Sequence, residues 1–162
     1  MHLYDDPVCL DIACISKELA LKPEQFRPLK PVEGWQDIEA NIYKTFVILH
    51  HYKERPVWLW EYFKLEQYAV QLSAWPIEHL NWLIDPAEKV WFFVNGEKSE
   101  FWFYEGYIEA ITRVIRESVH IDEFYLCSKK YKWLLAFTHH DVLVATGNGM
   151  PEKLKSFQMY SR

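Results

Sequence analysis

Between residues 88 and 147 dense apolar runs alternate with short polar breaks, and this pattern constrains the fold more than any other feature of the chain. "VWFFV" (90–94) and "FWFY" (101–104) are aromatic and β-branched, and "NGEKSE" between them reads as a hairpin loop built around Asn95-Gly96. Both faces of these strands are apolar, so each needs cover, by helices on at least one side. The period then changes. Over residues 107–118, Ile108, Ile111, Val114 and Ile115 fall on one helical face, while Glu109, Arg113 and Glu117 line the other at four-residue steps. "EFYLCS" (123–128), "KWLLAF" (132–137) and "VLVATG" (142–147) follow, separated by "KKY" and "THHD". Breaks this short favour an antiparallel meander.

The first half reads as helical. Cys9, Ile12, Ala13, Ile15, Ser16 and Leu19 lie near one face of a helix over 7–21, and Trp35, Ile38, Ile42, Phe46 and Leu49 form a stripe within 35–52. "KPEQFRPLKPVEG" between them, with three prolines and a glycine, is a connector. Pro56 suits the first turn of a helix over 55–66, although a strand over 57–63 fits the same residues, and "PIEHLNWLI" (76–84) is a further short helix. "PEKLKSFQMY" closes the chain as a helical turn or two. The expectation is an α+β protein: N-terminal helices followed by β-β-α-β-β-β, with a mostly antiparallel five-stranded sheet packed against helices. It is read as one domain over 1–162, mainly helical over 1–87, sheet over 88–147, and tail or short helix over 148–162.

Eight Trp, ten Tyr and ten Phe in 162 residues make core size no obstacle. The N-terminal segment lacks the basic start and unbroken apolar run of a signal peptide, and no stretch approaches a membrane span, so a cytoplasmic protein without membrane contact is expected. Cys9, Cys14 and Cys127 form neither a disulfide framework nor a zinc signature and read as buried thiols. The net charge of −5 is uneven: residues 96–123 hold seven carboxylates against Lys98, Arg113 and Arg116. This distribution argues against nucleic acid as a direct ligand and is compatible with a basic protein partner.

"KSEFWFYEGYIEAI" and "EFYLCSKKYKWLLAFTHHDVLVATG" carry a Tyr-Glu-Gly step, a Ser-Lys-Lys-Tyr-x-Trp-Leu turn and a His-His-Asp hairpin. Over roughly residues 88–147 this resembles a family of small bacterial domains of unknown function. The resemblance implies a fold and no particular chemistry. In size and acidity such domains are similar to immunity proteins that neutralise bacterial toxins, and to regulatory scaffolds.

The residues with chemical potential are few. His139, His140 and Asp141 stand at a turn, where Asp141 would cap a backbone N–H of the next strand. An extended backbone would send the two imidazoles to opposite faces, whereas a tight turn would let them approach. Glu105, at a strand-to-helix junction where Gly106 supplies the φ for turning, would favour a helix N-terminus or pair with a histidine of that turn as acid and base. His50-His51 is a poor chelating pair, and no metal site or cofactor motif is present. Ser128 beside Lys129 and Lys130 forms no triad, and Lys129-Lys130-Tyr131 reads as an exposed basic turn. The favoured expectation is a non-catalytic binding module that docks a basic partner through Glu100, Glu105, Glu109, Asp122 and Glu123, with Trp102 and Tyr104 as anchors. A small enzyme or metal protein using His139, His140, Asp141 and Glu105 is the alternative, and a homodimeric structural or regulatory subunit the third.

Overall fold

The computed structural model describes residues 6–29, 34–50 and 56–160. It is an α+β fold with seven antiparallel strands in the order β1-β4-β3-β5-β6-β7-β2. The strands are β1 (Phe26–Pro28), β2 (Gln67–Gln71), β3 (Lys89–Asn95), β4 (Phe101–Tyr107), β5 (Phe124–Ser128), β6 (Trp133–Phe137) and β7 (Val142–Gly147). The helices are α1 (Pro7–Glu18), α2 (Trp35–Phe46), α3 (Ile77–Leu83), α4 (Ile108–Glu117) and α5 (Met150–Tyr160). No helix among the described residues is long and apolar enough to cross a membrane.

The central strands bury both faces because side chains alternate, so two cores form. On one face Val90, Phe92, Phe124, Leu126, Leu135 and Phe137 pack beneath α1, α3, α4 and α5. On the other Phe93, Phe103, Tyr125, Cys127, Leu134 and Ala136 pack beneath α2 and the segment that follows it. Helix α4 sits as its periodicity demands, with Ile108, Ile111, Val114 and Ile115 fully buried. Asp6 caps α1 by accepting from Val8 N at 3.0 Å, and its other oxygen accepts from Glu97 N at 2.9 Å and Trp102 Nε1 at 3.2 Å. One carboxylate thus ties α1 to the β3–β4 hairpin.

Several expectations need correction. The sheet has seven strands rather than five, because the N-terminal part supplies both edges. The signal for β2 was present: Tyr68 and Val70 are half-buried while Gln67, Ala69 and Gln71 are exposed, a strict alternation. β1 hides in the proline-rich connector, where Pro28 is tolerated because the strand is an edge. The helix expected over 35–52 stops at Phe46: Val47 turns extended and bridges Phe63, with Ile48 N donating to Tyr62 O at 2.8 Å and Lys64 N to Phe46 O at 2.9 Å. The helix expected over 55–66 shrinks to a 3₁₀ turn, Leu59–Tyr62, laid across the sheet face with Leu59 fully buried. His51 and the start of that segment fall outside the described residues.

Gly106 does not supply an unusual φ; positive values occur instead at Gly34, Gly147 and Gly149. A Cβ at Gly106 would lie 2.9 Å from the Phe26 ring and 3.0 Å from the Gln25 carbonyl, so glycine here lets β1 approach β4. In the β3–β4 loop the left-handed residue is Ser99, and Gly96 N donates to Glu100 O at 2.8 Å. Of the thiols, Cys127 is buried, Cys9 half-buried and Cys14 exposed.

Candidate functional site

The two histidines come together. Thr138 N donates to Val142 O at 2.9 Å and Asp141 N to Thr138 O at 3.0 Å, closing a tight turn in which Asp141 takes φ 60°. The imidazole centroids lie 4.0 Å apart. Thr138, not Asp141, caps the turn: its hydroxyl accepts from His140 N at 3.2 Å and Val142 N at 3.3 Å.

The carboxylate that meets this turn is Glu123, not Glu105. Glu123 is 3% exposed, and its Oε1 accepts from Trp60 Nε1 at 2.8 Å and His139 N at 3.2 Å, and lies 3.1 Å from His139 Nδ1. Its Oε2 accepts from the Tyr125 hydroxyl at 2.9 Å, which in turn accepts from Leu59 N at 3.1 Å. The hairpin register explains the meeting: Phe124 pairs with Phe137, so the residues just beyond, Glu123 and Thr138, face each other. The 3₁₀ turn then lays Trp58 and Trp60 against the imidazoles, with ring centroids 5.2 Å (Trp58–His139) and 6.3 Å (Trp60–His140) apart.

Beside this cluster the described residues leave part of the sheet face open. A groove of about 540 Å³ runs over β7 and β2, walled by Trp60, Glu61, Thr138 and His140 and floored by Gln67, Ala69, Val142 and Val144. Among the described residues neither Lys nor Arg lines it.

Glu105 lies on β4, two strands from β5 and level with its Cys127 end, roughly 15 Å along the strand direction from Glu123. Three cations hold it: Arg27 Nε and Lys89 Nζ, each 3.4 Å from Oε1, and Lys129, hydrogen-bonded to Oε2. Burial raises its pKa, but the Lys129 hydrogen bond and the charges of Lys129, Arg27 and Lys89 outweigh that and hold it below the ordinary 4.5. The expected pairing of Glu105 with the histidine turn therefore does not occur, and the carboxylate is not available as a free acidic group. Lys129, expected as a solvated turn residue, also stacks over Trp91, its Nζ 4.0 Å from the ring centroid.

The remaining docking candidates are scattered. Glu109 and Asp122 are exposed and Glu100 is half-buried. Tyr104 is buried and stacked on Phe26 at 5.3 Å, and Trp102 packs against the helix-side core with its indole N–H on Asp6. Both aromatic anchors thus lie under helices, where β4 alternation puts them. Among the described residues no group of three His, Cys, Asp or Glu side chains could hold a metal ion.

Buried acids give the protein an alkaline limit. Burial pushes the Cys9 thiol from 9.0 to about 11 and raises that of Cys127 further, and it holds Tyr104 and Tyr125 well above 10.0. All four bind their protons more tightly when folded than when unfolded. Their contribution to stability is therefore complete below about pH 9 and is lost progressively as pH rises from there. Urea midpoints should stay level between about pH 7 and 9 and fall by about pH 11; a midpoint unchanged at the higher pH would show that these groups titrate normally.

No curated protein and no solved structure matches the chain. A family model described as a family of unknown function (DUF6756) matches residues 7–158, nearly the whole of α1 through α5. The chain belongs to that family.

Proposed function

We propose that this chain is a non-catalytic protein-binding module, an inhibitor of immunity type in the bacterial cytoplasm, and that a basic segment of its partner docks in the groove beside the histidine turn. The observation that supports this reading is the lining itself: an indole wall, an exposed carboxylate at Glu61, a largely apolar floor, and no Lys or Arg among the described residues. A lysine or arginine side chain fits such a surface, its charge against Glu61 and its alkyl stem or guanidinium plane on Trp60. The acidic face first expected is the weaker candidate, because Glu105 is neutralised by three cations and Glu123 is spent on internal donors. Net charge still favours encounter with a basic protein.

Affinity purification from the native host tests the site. A partner retained by the wild-type chain should bind Glu61→Lys roughly tenfold to a hundredfold more weakly, because the substitution puts like charges together. Glu61 is exposed, so the fold should tolerate the change. A partner held equally by Glu61→Lys but lost from Glu109→Lys or Asp122→Lys would place recognition elsewhere.

A second reading is acid–base chemistry at His139, supported by the buried Glu123 carboxylate 3.1 Å from its Nδ1. A carboxylate so placed orients an imidazole and leaves Nε2 for proton transfer. Turnover of ester or phosphoester reporter substrates that disappears in His139→Gln, at unchanged melting temperature, would support it; a reporter panel without turnover would dismiss it for those reactions.

A further inference from the structure

The two edges of the sheet are built differently. β1 spans three residues and ends on Pro28, which blunts it as a template for pairing. β2 is five residues, "QYAVQ", with neither proline nor charge, and no described strand pairs with its outer edge. The register tells which backbone groups face outward. Leu72 N donates to Asp141 O at 2.8 Å, in phase with Val70↔Leu143 and Tyr68↔Ala145. Since successive residues alternate, the N–H and C=O groups of Gln67, Ala69 and Gln71 point away from β7. The side chains of those three residues are exposed on the groove face.

We propose that β2 pairs with β2 of a second copy, antiparallel about a twofold axis through Ala69. The strand is self-complementary in that register. Ala69 faces Ala69, Gln67 faces Gln71, and Tyr68 faces Val70, so no charge meets its like and about six backbone hydrogen bonds form, two at each outward pair. Glu66 meets Leu72 rather than its own copy. The axis carries the smallest side chain of the strand, where two larger ones would crowd. On the helix side, α5 packs against β7 and β2.

The pairing also completes the groove. A twofold axis perpendicular to the sheet keeps both grooves on one face. Among the described residues each groove has one wall, the Trp60–His140 side, and its floor ends at β2. In the dimer the floors join into one of four strands, roughly 15 Å across, with a Trp60–His140 wall on each side. This last point rests on the binding reading above; the dimer itself does not.

Sedimentation of the chain alone, without any partner, tests the dimer. The wild type should be dimeric at micromolar concentration. Ala69→Lys and Ala69→Glu each bring like charges together at the axis and should dissociate roughly 100-fold more readily, with folding checked by circular dichroism. Mixing the two variants should restore dimers as a one-to-one heterodimer, a rescue that loss of folding could not produce. A wild type that is monomeric at a hundred micromolar, variants that stay dimeric alone, or a mixture that stays monomeric would each overturn the proposal. Partner binding lost in Glu61→Lys while the dimer persists separates the groove reading from this one.

Discussion

Glu123→Ala is expected to destabilise the protein by about 3–5 kcal/mol, measured by equilibrium unfolding in urea. The side chain is 3% exposed and satisfies the Trp60 indole N–H, the His139 amide and the Tyr125 hydroxyl together. Truncation leaves these donors without an acceptor in a space that water enters poorly, and each buried unpaired group costs on the order of 1–3 kcal/mol. Glu123→Gln keeps the shape and one carbonyl acceptor, and Tyr125 can accept where it formerly donated, so a loss of about 1–2 kcal/mol is expected. The contrast between the two variants carries the information. If both cost less than about 1 kcal/mol, the network is solvated and Glu123 does not hold the 3₁₀ turn to the sheet.

Phe93→Ala should cost a similar amount, about 3–5 kcal/mol, and lower the melting temperature by about 10–15 °C for a chain of this length. Phe93 is 1% exposed on β3, near the middle of the sheet. Its ring stacks on Tyr125 at 4.8 Å with an interplanar angle of 7°, and its centroid lies 4.9 Å from that of Phe103. Removing it opens a cavity among aromatic rings that the paired strands on either side cannot collapse to fill. Phe93→Leu should recover most of the loss, because volume is largely kept. A cost near that of an exposed substitution would mean that the second core is loosely packed.

How much of this could be read in advance depended on how local each signal was. Helix α4 and the strands from β3 to β7 were legible because period, flanking turns and burial agreed within a dozen residues of each other. The edges were not. β1 is three residues among prolines, and β2 follows a segment whose aromatic density hid its alternation. The 57–63 stretch was ambiguous for a physical reason: Trp58, Leu59, Trp60 and Tyr62 satisfy several periods at once, and only contact with the sheet face selects a 3₁₀ turn. The site was half legible. The His-His turn is recognisable, but its acid partner is Glu123, just ahead of β5, and not Glu105 on β4. Counting the β5–β6 hairpin back from its "KKY" turn brings Glu123 opposite Thr138 within about a residue, so the signal for the correct carboxylate lay in the register rather than in any motif.

The strand order has a consequence for how the chain is made. The edge strands β1 and β2 are synthesised before any of the strands they pair with: Phe26 waits for Gly106, and Tyr68 for Ala145. Chain released from a ribosome through residue 71 carries the apolar sides of α1, α2 and β2 with no sheet to cover them. The entropy of closing the long loop from β2 to β7 grows only logarithmically with its length, so the cost lies in time more than in final stability. Until β7 emerges, an uncharged strand without proline stays open to pairing with other chains. Slower translation through residues 72–147 would lengthen that exposure, and the yield of folded protein in the cell should be sensitive to it.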